Sequence, residues 1–339
     1  MDARLAEGLP SFASQVWDFP EDREFLNWLF VDAPDTTMLV AHDDGRWLAC
    51  LGVFERIYEY EGGRLPCLET YGWASLETNQ VKGLGIRCMK TAINLGKPLV
   101  ALGGSRFTEE YMPRLGFSTL AWAPSLTLPF SGAEFGGNSA KQQLIRLGLN
   151  LIGPFLKPGS QPANGLRHVP TAMFDEATLA LTTLGGFQAT FRQSFFEWQN
   201  RYGDAGMFLP FRFMREGELV GWVFARVAEE RPGIIIGRIL ECKLGLSTTP
   251  ADHVAMLRIV TGSLAGFGAA GVRALTTCPE TVTALKRLRF ISGRQSPAMV
   301  YLNGLDLDGQ PIRVSVLRAD GGVLPLPSRA DLFQRHGRV

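Results

Sequence analysis

Six residues, Gln80 to Gly85, have the types and spacing of a loop that binds a diphosphate. They lie between an apolar run, Leu68 to Leu76, and a run with helical spacing, Ile86 to Leu95. Glycines have no Cβ, so backbone NH groups at the positive end of a helix dipole can approach a phosphate. The spacing Gln-x-x-Gly-x-Gly is neither the dinucleotide fingerprint nor a P-loop. It predicts a phosphate cradle, although a plain glycine turn between a strand and a helix gives the same pattern.

Composition and charge limit the classes of function. The chain has 339 residues, of which 46% are hydrophobic, enough for two domains with separate cores. The formal net charge is +1 and no block of Lys and Arg is long enough to follow a phosphate backbone, so nucleic acid is not an expected partner. Met1 to Pro20 lacks the basic region and apolar core of a signal peptide. No apolar run reaches the roughly 18 residues that span a bilayer, so no integral membrane span is expected.

The cysteines and histidines suggest no metal site. The five cysteines are isolated, without a Cys-x-x-Cys or Cys/His cluster, and we interpret them as buried thiols of a reducing compartment. This interpretation predicts a cytoplasmic location. His168 and His336 have no partner at metal-ligand spacing, so no metal is expected.

The elements around the cradle follow a regular order. A hairpin of Thr36 to Ala41 and Trp47 to Phe54 surrounds the turn Asp43-Asp44-Gly45. It follows one or two short helices broken at Pro20. The later predicted elements are an extended piece from Arg56 to Glu61, a strand from Leu65 to Leu76, the cradle helix, a strand from Leu99 to Leu102 and a helix from Phe107 to Leu115.

The same order of elements recurs after a linker. A second hairpin surrounds Glu216-Gly217-Glu218, and a helix near Val254 and a strand near Val272 follow at similar offsets, which indicates an internal duplication. We therefore predict domains at residues 1–130 and 166–310, a linker at 131–165 and a tail at 311–339. The apolar linker stretch from Leu144 to Leu156 suits docking between the domains, and equally a homodimer contact.

This arrangement resembles the GNAT superfamily of N-acetyltransferases. Gln80, Gly83 and Gly85 match its acyl-CoA loop, Gln/Arg-x-x-Gly-x-Gly/Ala, and Arg114-Leu115-Gly116-Phe117 is similar to its ending after the last helix. Tandem chains of this kind resemble proteins of bacterial polysaccharide and specialised-metabolite pathways and, more distantly, Fem-type aminoacyl transferases. The resemblance implies an α/β (α+β) fold class with two tandem lobes, each a mixed, mostly antiparallel sheet flanked by helices.

The resemblance also implies site residues. Glu69 and Glu77 flank the strand expected to splay from its neighbour, and they are candidates for the base that takes the amine proton. Tyr111 is a candidate acid for the leaving thiolate, although the family often has this tyrosine four residues before the closing glycine, which is Met112 here. One position on a helix turns a side chain by about 100°. The residues expected to hold acyl-CoA, usually acetyl-CoA, are Ser75, Leu76, Gln80, Val81, Lys82, Gly83, Leu84, Gly85 and Ile86.

The second half departs from the family pattern. Leu246 to Asp252 resembles a helix N-cap with Pro at the start and has no closely spaced glycines, so we expect this half to bind no CoA. Four polar residues lie near a strand end where an acceptor could sit: Arg238, Glu241, Lys243 and His253. For most of them we expect exposure to solvent.

Three functions remain in view. The first is an acyl-CoA-dependent N-acyltransferase that acts on a small amine, such as an amino sugar or a metabolite, by direct attack on the thioester. The second is a Fem-type aminoacyl transferase, which the balanced charge disfavours because tRNA binding favours a basic surface. The third is a non-catalytic binding or scaffold protein. An open gap between the strands that end near Leu76 and Leu102 would favour the first over the third.

Overall fold

A computed structural model of the chain describes residues 3–17, 22–60, 63–76, 83–104, 106–132, 143, 147–150, 153, 165–201, 207–231 and 233–315. The predicted linker stretch from Leu144 to Leu156 lies mostly outside these residues. Within the ranges described, no helix is long and apolar enough to cross a bilayer.

The first lobe contains the hairpin and the cradle helix that the sequence predicts. Its helices are α1 (Ala3–Trp17), α2 (Arg23–Phe30), α3 (Leu84–Ile93) and α4 (Arg106–Tyr111). Its strands are β1 (Thr36–Asp43), β2 (Arg46–Tyr60), β3 (Gly63–Ser75), β4 (Leu99–Leu102) and β5 (Ser118–Pro129). The extended piece from Arg56 onward is part of the single long strand β2, and the short helix expected up to Leu115 divides into α4 and a 3₁₀ turn at Pro113–Leu115.

The second lobe repeats the first in the same order. Its strands are β6 (Arg167–Pro170), β7 (Phe187–Ala189), β8 (Met207–Arg215), β9 (Glu218–Arg231), β10 (Ile234–Leu244), β11 (Gly271–Leu275) and β12 (Ile291–Tyr301), and β13 (Ile312–Arg313) follows. Its helices are α5 (Glu176–Leu179), α6 (Gln193–Arg201), α7 (Pro250–Gly266) and α8 (Pro279–Arg287). The series from β8 to β12 matches the series from β1 to β5 element by element, so the duplication inferred from the sequence is present in the fold.

One sheet runs through both lobes, because each lobe lends its last strand to the other. The strand order is β13-β7-β2-β3-β4-β12-β5-β11-β10-β9-β8-β6, with β1 also paired to β2. β5 of the first lobe pairs antiparallel with β11 of the second, and β12 of the second pairs antiparallel with β4 of the first. β5 and β12 pair antiparallel with each other at the centre of the sheet. The two lobes are therefore joined by backbone hydrogen bonds as well as by side chains.

A pair of tryptophans joins the helices that precede the two hairpins. Trp28 on α2 and Trp198 on α6 are 170 residues apart, and each indole NH donates to the other residue's carbonyl, at 2.7 and 2.8 Å. Their rings stack with centroids 5.0 Å apart. The reciprocal contact places α2 and α6 in equivalent positions, so the repeat extends to the helices before each hairpin.

The core has three parts, which explain the two faces of β3. One cluster lies under α3 and includes Leu68 and Met89, while another lies under α7 and α8 in the second lobe. The third lies between the lobes, where rings such as Phe187, Phe191 and Phe195 pack against the other face of β2 and β3. Alternate residues of β3 therefore point to α3 and to the second lobe.

Candidate functional site

The two parallel strands of the first lobe pair only briefly. β3 and β4 form a ladder at Leu68 with Leu99 and at Glu69 with Val100, and then separate. β3 continues to Ser75 along β2, whereas β4 continues to Leu102 along β12. Beyond Glu69, the edge of β3 that faces β4 pairs with no strand among the described residues. This is the open gap that the sequence analysis names as favouring a cofactor-binding lobe over a scaffold.

A bulge in β3 lies beside this gap. Cys50 pairs with Ala74 and Gly52 pairs with Tyr71, so β3 has one more residue than β2 between these pairs. Gly72 lies in the bulge with φ +56°, and a Cβ there would be 3.1 Å from the ring of Phe30. The glycine is required by both the backbone conformation and the space. The bulge changes the direction of the β3 edge just before the strand reaches the start of α3.

The start of α3 has the features of an anion site. Its N-cap is Gly83, with φ +83° and no side-chain cap, so the helix itself leaves the first amides, of Leu84, Gly85 and Ile86, unpaired. A Cβ at Gly83 would meet no atom of the described residues within 4 Å, whereas one at Gly85 would be 3.2 Å from the indole nitrogen of Trp73. Backbone NH groups are therefore accessible at Gly83, and Gly85 allows the end of β3 to approach the helix. The predicted cradle residues Gln80, Val81 and Lys82 lie outside the described residues.

An aromatic wall connects the cradle helix with α4. Trp73 donates its indole NH to the carbonyl of Gly85 at 2.8 Å, and its ring lies 5.8 Å from that of Phe107. Phe107 stacks on Tyr111 at 4.1 Å, and the guanidinium of Arg114 lies 4.9 Å from the centre of the Tyr111 ring. Met112, at the position where the family often has its tyrosine, is buried in the core under α3. The structure thus places Tyr111, and not residue 112, on the side of the aromatic wall.

Glu69 is held at the point where the gap opens. The Tyr58 hydroxyl donates to its Oε1 at 2.6 Å, and a guanidinium nitrogen of Arg56 lies 3.4 Å from its Oε2. Burial, followed by the nearby Glu69 charge, raises the pKa of Tyr58 well above its usual value, so the phenol stays protonated and remains a donor. The same two causes raise the pKa of the Cys67 thiol to about 12. Glu69 also lines the cavity between β3 and β4. It is therefore a fixed, ionisable acceptor that faces the gap.

The other predicted site residues are divided between the gap and the part of the chain not described. Ser75 ends β3, and Leu76 donates its backbone NH to the carbonyl of Leu48 at 2.8 Å. The ideal Cβ position of Gly85 lies 3.6 Å from Ser75, so the end of β3 contacts the start of α3. Glu77 lies outside the described residues. The end of the gap, the glycine turn and the aromatic wall are thus neighbours, while Glu69 lies at the opposite end of the gap.

The corresponding helix start in the second lobe is closed by its own side chains. Thr249 and Asp252 form a capping box at the start of α7, with the Thr249 hydroxyl and the Asp252 carboxylate each paired to a backbone NH. Arg215 forms an ion pair with the same carboxylate. A carboxylate already occupies the position where a phosphate would bind, so this helix start offers no free cradle.

Three polar residues of the second lobe are buried, contrary to the expectation that solvent exposure prevails there. Glu241, Lys243 and His253 are exposed by 6%, 6% and 2%. The Lys243 ammonium donates to Gln188 at 3.0 Å, and Glu241 accepts from the Cys242 NH at 3.0 Å and the Ser315 hydroxyl at 3.2 Å. Burial raises the pKa of Glu241 and lowers that of Lys243, while each charge opposes the shift of the other.

This network is a feature that the sequence analysis missed. Charged side chains near a strand end are usually solvated, but here Gln188 of β7, the Phe191 ring and Ser315 of the C-terminal segment lie against Glu241 and Lys243. One signal was available in the sequence. On β10, Glu241 and Lys243 alternate with residues that are apolar or carry a thiol, namely Leu240, Cys242 and Leu244. Within the described ranges, no three His, Cys, Asp or Glu side chains form a group able to hold a metal ion.

Comparison with known proteins supports a fold assignment. No protein-family model and no curated protein sequence matches the chain. Among solved structures, a GCN5-related N-acetyltransferase from Anabaena variabilis aligns with a TM-score of 0.59 at 12% identity, over 90% of this chain and 73% of that one. Saccharomyces cerevisiae N-myristoyltransferase with bound myristoyl-CoA aligns with a TM-score of 0.57 at 9% identity, over 87% of this chain and 75% of that one.

A third solved structure is similar to the same extent. A probable N-acyltransferase from Enterococcus faecalis aligns with a TM-score of 0.57 at 12% identity, over 91% of this chain and 73% of that one. The three alignments extend over both lobes, since each covers most of the chain. The parallel strands that separate, the glycine turn and the helix start are arranged here on the same fold. The chain has the GNAT-like fold of these N-acyltransferases, in two tandem lobes.

Proposed function

We propose that the chain is an acyl-CoA-dependent N-acyltransferase that transfers an acetyl or other acyl group to a small amine. The observation that carries this proposal is the gap between β3 and β4, which ends at the uncapped glycine start of α3. An elongated cofactor with an anionic centre fits this arrangement, because an open strand edge can bind amide groups and a helix start binds phosphate. In the second lobe, the equivalent helix start is capped by Thr249 and Asp252, and the C-terminal segment binds next to the end of β11.

The proposed binding mode uses the gap along its length. The amides of Gly83 to Ile86, together with the loop before them, would hold the pyrophosphate, and the β3 edge from Thr70 to Ser75 would bind the amides of the pantetheine arm. The thioester would then lie towards Glu69, where the strands first separate. The acyl chain length is open, so the donor series for the test runs from acetyl-CoA to myristoyl-CoA.

The chemistry proposed at this position is direct transfer. The amine nitrogen attacks the thioester carbonyl carbon, and Glu69 accepts the proton that the nitrogen loses. The tetrahedral intermediate then breaks its carbon–sulfur bond, and the thiolate takes a proton. Tyr111 remains the donor that the family resemblance implies, although it lies with the aromatic wall, at the opposite end of the gap from Glu69. The products are an amide and free CoA. Glu77 remains the alternative base.

The first experiment is calorimetric titration of acyl-CoA into the wild type and Gly83→Trp. The new indole should occupy the cradle and abolish binding. Gly96→Trp is a matched control, because Gly96, just after the other end of α3, also has a positive φ, of +73°, and an added Cβ there would meet no atom of the described part of the chain within 4 Å. Both variants carry the same backbone cost, but only the first is expected to lose acyl-CoA.

The outcomes separate the candidate functions. Binding to the wild type and to Gly96→Trp, with loss in Gly83→Trp, supports a cofactor site in the first lobe and leads to a screen of amines. If the folded wild type binds neither acetyl-CoA nor any longer acyl-CoA, the proposal fails, and the aminoacyl-transferase and scaffold hypotheses remain.

A further inference from the structure

The gap between β3 and β4 has a closed inner end that the first lobe does not build alone. The cavity there is lined by residues of β3 and β4 and by two residues of the C-terminal segment, Val314 and Ser315. Its volume is about 30 Å³, and because one water-sized group needs roughly 10–15 Å³ in this measure, the cavity holds about two such groups. Glu69, the candidate base, lines the same cavity.

The C-terminal segment is held in this position by backbone hydrogen bonds. Ile312 and Arg313 form β13, which pairs in parallel with β7. Beyond β13, the backbone NH of Thr277 donates to the Val314 carbonyl at 2.9 Å, and the Val314 NH donates to the Thr277 hydroxyl at 2.8 Å. Ser315 then forms a bridge with Thr276. Val314 and Ser315 are therefore anchored by the second lobe while they face the cavity of the first.

Val314 and Ser315 border the cavity in different ways. Val314 is 6% exposed and packs in the interlobe core, so its side chain is an apolar limit to the cavity. The Ser315 hydroxyl donates to Glu241 at 3.2 Å, which connects the cavity to the buried network of the second lobe. Removing methyl groups at residue 314 enlarges the space next to Glu69 without altering Glu69 itself.

We propose that Val314 and Ser315 set the specificity for the acceptor, which rests on the proposed acyltransferase function. They limit the cavity at Glu69 to an amino group and one methylene, so the preferred acceptor is an amine whose nitrogen is attached to an unbranched CH₂ group. Amines that branch at the carbon next to nitrogen require more volume than this cavity holds and react more slowly.

The test compares butan-1-amine with butan-2-amine, which have the same atoms and differ only in branching. Release of CoA is followed with acetyl-CoA as donor for the wild type, Val314→Ala and Val227→Ala. Val227 is a matched control because it is fully buried in the second-lobe core and lines none of the cavities described here. We expect Val314→Ala to raise the ratio of kcat/KM for the branched over the linear amine roughly 10-fold, as for one methylene in an apolar pocket, and Val227→Ala to leave it unchanged.

A second measurement tests the size of the cavity beside Val314 and does not require catalysis. Ser315→Cys is treated with methyl and isopropyl methanethiosulfonate, against a background of five native cysteines that are all buried. We expect the methyl reagent to react faster, and Val314→Ala in the same chain to accelerate the isopropyl reagent roughly 10-fold. Ile312→Cys, in the same segment but outside the cavity lining, should react slowly with both.

The results distinguish this inference from the proposed function. A wild type that binds no acyl-CoA overturns the proposed function, whatever the labelling shows. Turnover with an amine ratio that responds equally to Val314→Ala and Val227→Ala overturns the inference alone, as do equal rates of the two reagents at Ser315→Cys. A thermal melt of each variant confirms that the comparison is made on folded protein.

Discussion

The two lobes share one fold but treat the start of the equivalent helix in opposite ways. In the first lobe, α3 begins at Gly83, which has no side chain to cap the amides that follow. In the second, α7 begins with the capping box of Thr249 and Asp252, and Arg215 pairs with that carboxylate. An anion would meet free NH groups in the first lobe and a negative charge in the second. The same position has thus become a candidate binding site in one copy and a structural cap in the other.

The gaps between the parallel strands differ in the same sense. β3 and β4 share two residue pairs before they separate, whereas β10 and β11 share four. Past that ladder, the C-terminal segment binds Thr276 and Thr277, next to the end of β11, and the Glu241 side chain on β10. In the second lobe, the C-terminal segment therefore occupies the region beyond the strand ladder. Under the proposed function, the duplicated fold has specialised: one copy leaves the amides at its helix start for the cofactor, and the other provides the C-terminal residues that line the cavity at Glu69.

The largest effect is expected when one carboxylate in each lobe is replaced by an amide and the two variants are compared. Glu69→Gln keeps an acceptor for the Tyr58 hydroxyl but cannot take a proton from the amine, so we expect kcat to fall by about 10² to 10⁴. Acyl-CoA binding by calorimetry should change little. Glu241→Gln, the matched change in the second lobe, should leave kcat within a few-fold of the wild type.

Equal loss of turnover in both variants would contradict the division of roles between the lobes. Full turnover in Glu69→Gln would instead transfer the role of base to Glu77. Steady-state kinetics with both acyl-CoA and the amine at saturating concentration decide between these results, because weaker binding of either substrate then no longer lowers the rate.

The buried charges of the second lobe should matter for stability. Lys243→Met removes the cation that lies beside Glu241 and Glu59, so we expect a loss of about 3 kcal/mol in the free energy of unfolding measured with urea. Adding Glu241→Gln to this variant should recover part of the loss, because one unpaired carboxylate is removed. Lys97→Met is the first-lobe control: Lys97 forms a partly exposed ion pair with Glu55, and its loss should cost no more than about 1 kcal/mol. Equal losses of unfolding free energy in Lys243→Met and Lys97→Met would show that the buried charges contribute no more to stability than a partly exposed ion pair does.

Local sequence patterns predicted most elements of the first lobe but not how the lobes meet. The strand Leu99–Leu102 has the predicted bounds, and the cradle helix begins two residues before the predicted Ile86. These elements depend on nearby residues, such as a glycine turn or an apolar run, and are therefore visible in one segment. The exchange of β5 and β12 depends on pairing between segments far apart in the chain, which no local pattern encodes.

In the candidate site, too, the features that depend on local sequence were predicted and those that depend on strand pairing were not. Gly83 and Gly85 were identified because glycine spacing is local, and the gap beside them is present. The partners of Glu69, which are Tyr58 and Arg56 on β2, follow from strand register and could not be assigned from spacing alone. One long-range signal was available in the sequence: Phe25 and Trp28 have the same spacing as Phe195 and Trp198, and this repeat marks the two helices that form the tryptophan contact.

The smallest effect that we expect is a pH dependence that belongs to the second lobe. His253 is buried near the start of α7, and its Nε2 lies 3.4 Å from both the Cys242 sulfur and the Thr281 hydroxyl. Burial lowers its pKa to about 4, although the nearby Glu280 opposes the shift. The unfolded chain takes up a proton near pH 6.5, whereas the folded chain does so only near pH 4. The stabilising contribution is therefore complete above about pH 6.5 and is lost as the pH falls towards 4.

Urea unfolding at pH 7 and pH 5 measures this contribution directly. For the wild type, the shift corresponds to a loss of about 2 kcal/mol between the two pH values from this residue alone. His253→Gln cannot take up the proton, so its stability should fall by correspondingly less over the same range, even if its stability at pH 7 is lower. His42, exposed beside the first-lobe hairpin turn, is the matched control, and His42→Gln should retain the wild-type pH dependence. If His253→Gln and His42→Gln have the same pH dependence, acid sensitivity does not arise from the closed interior of the second lobe, and the contrast between a closed and an open lobe loses this support.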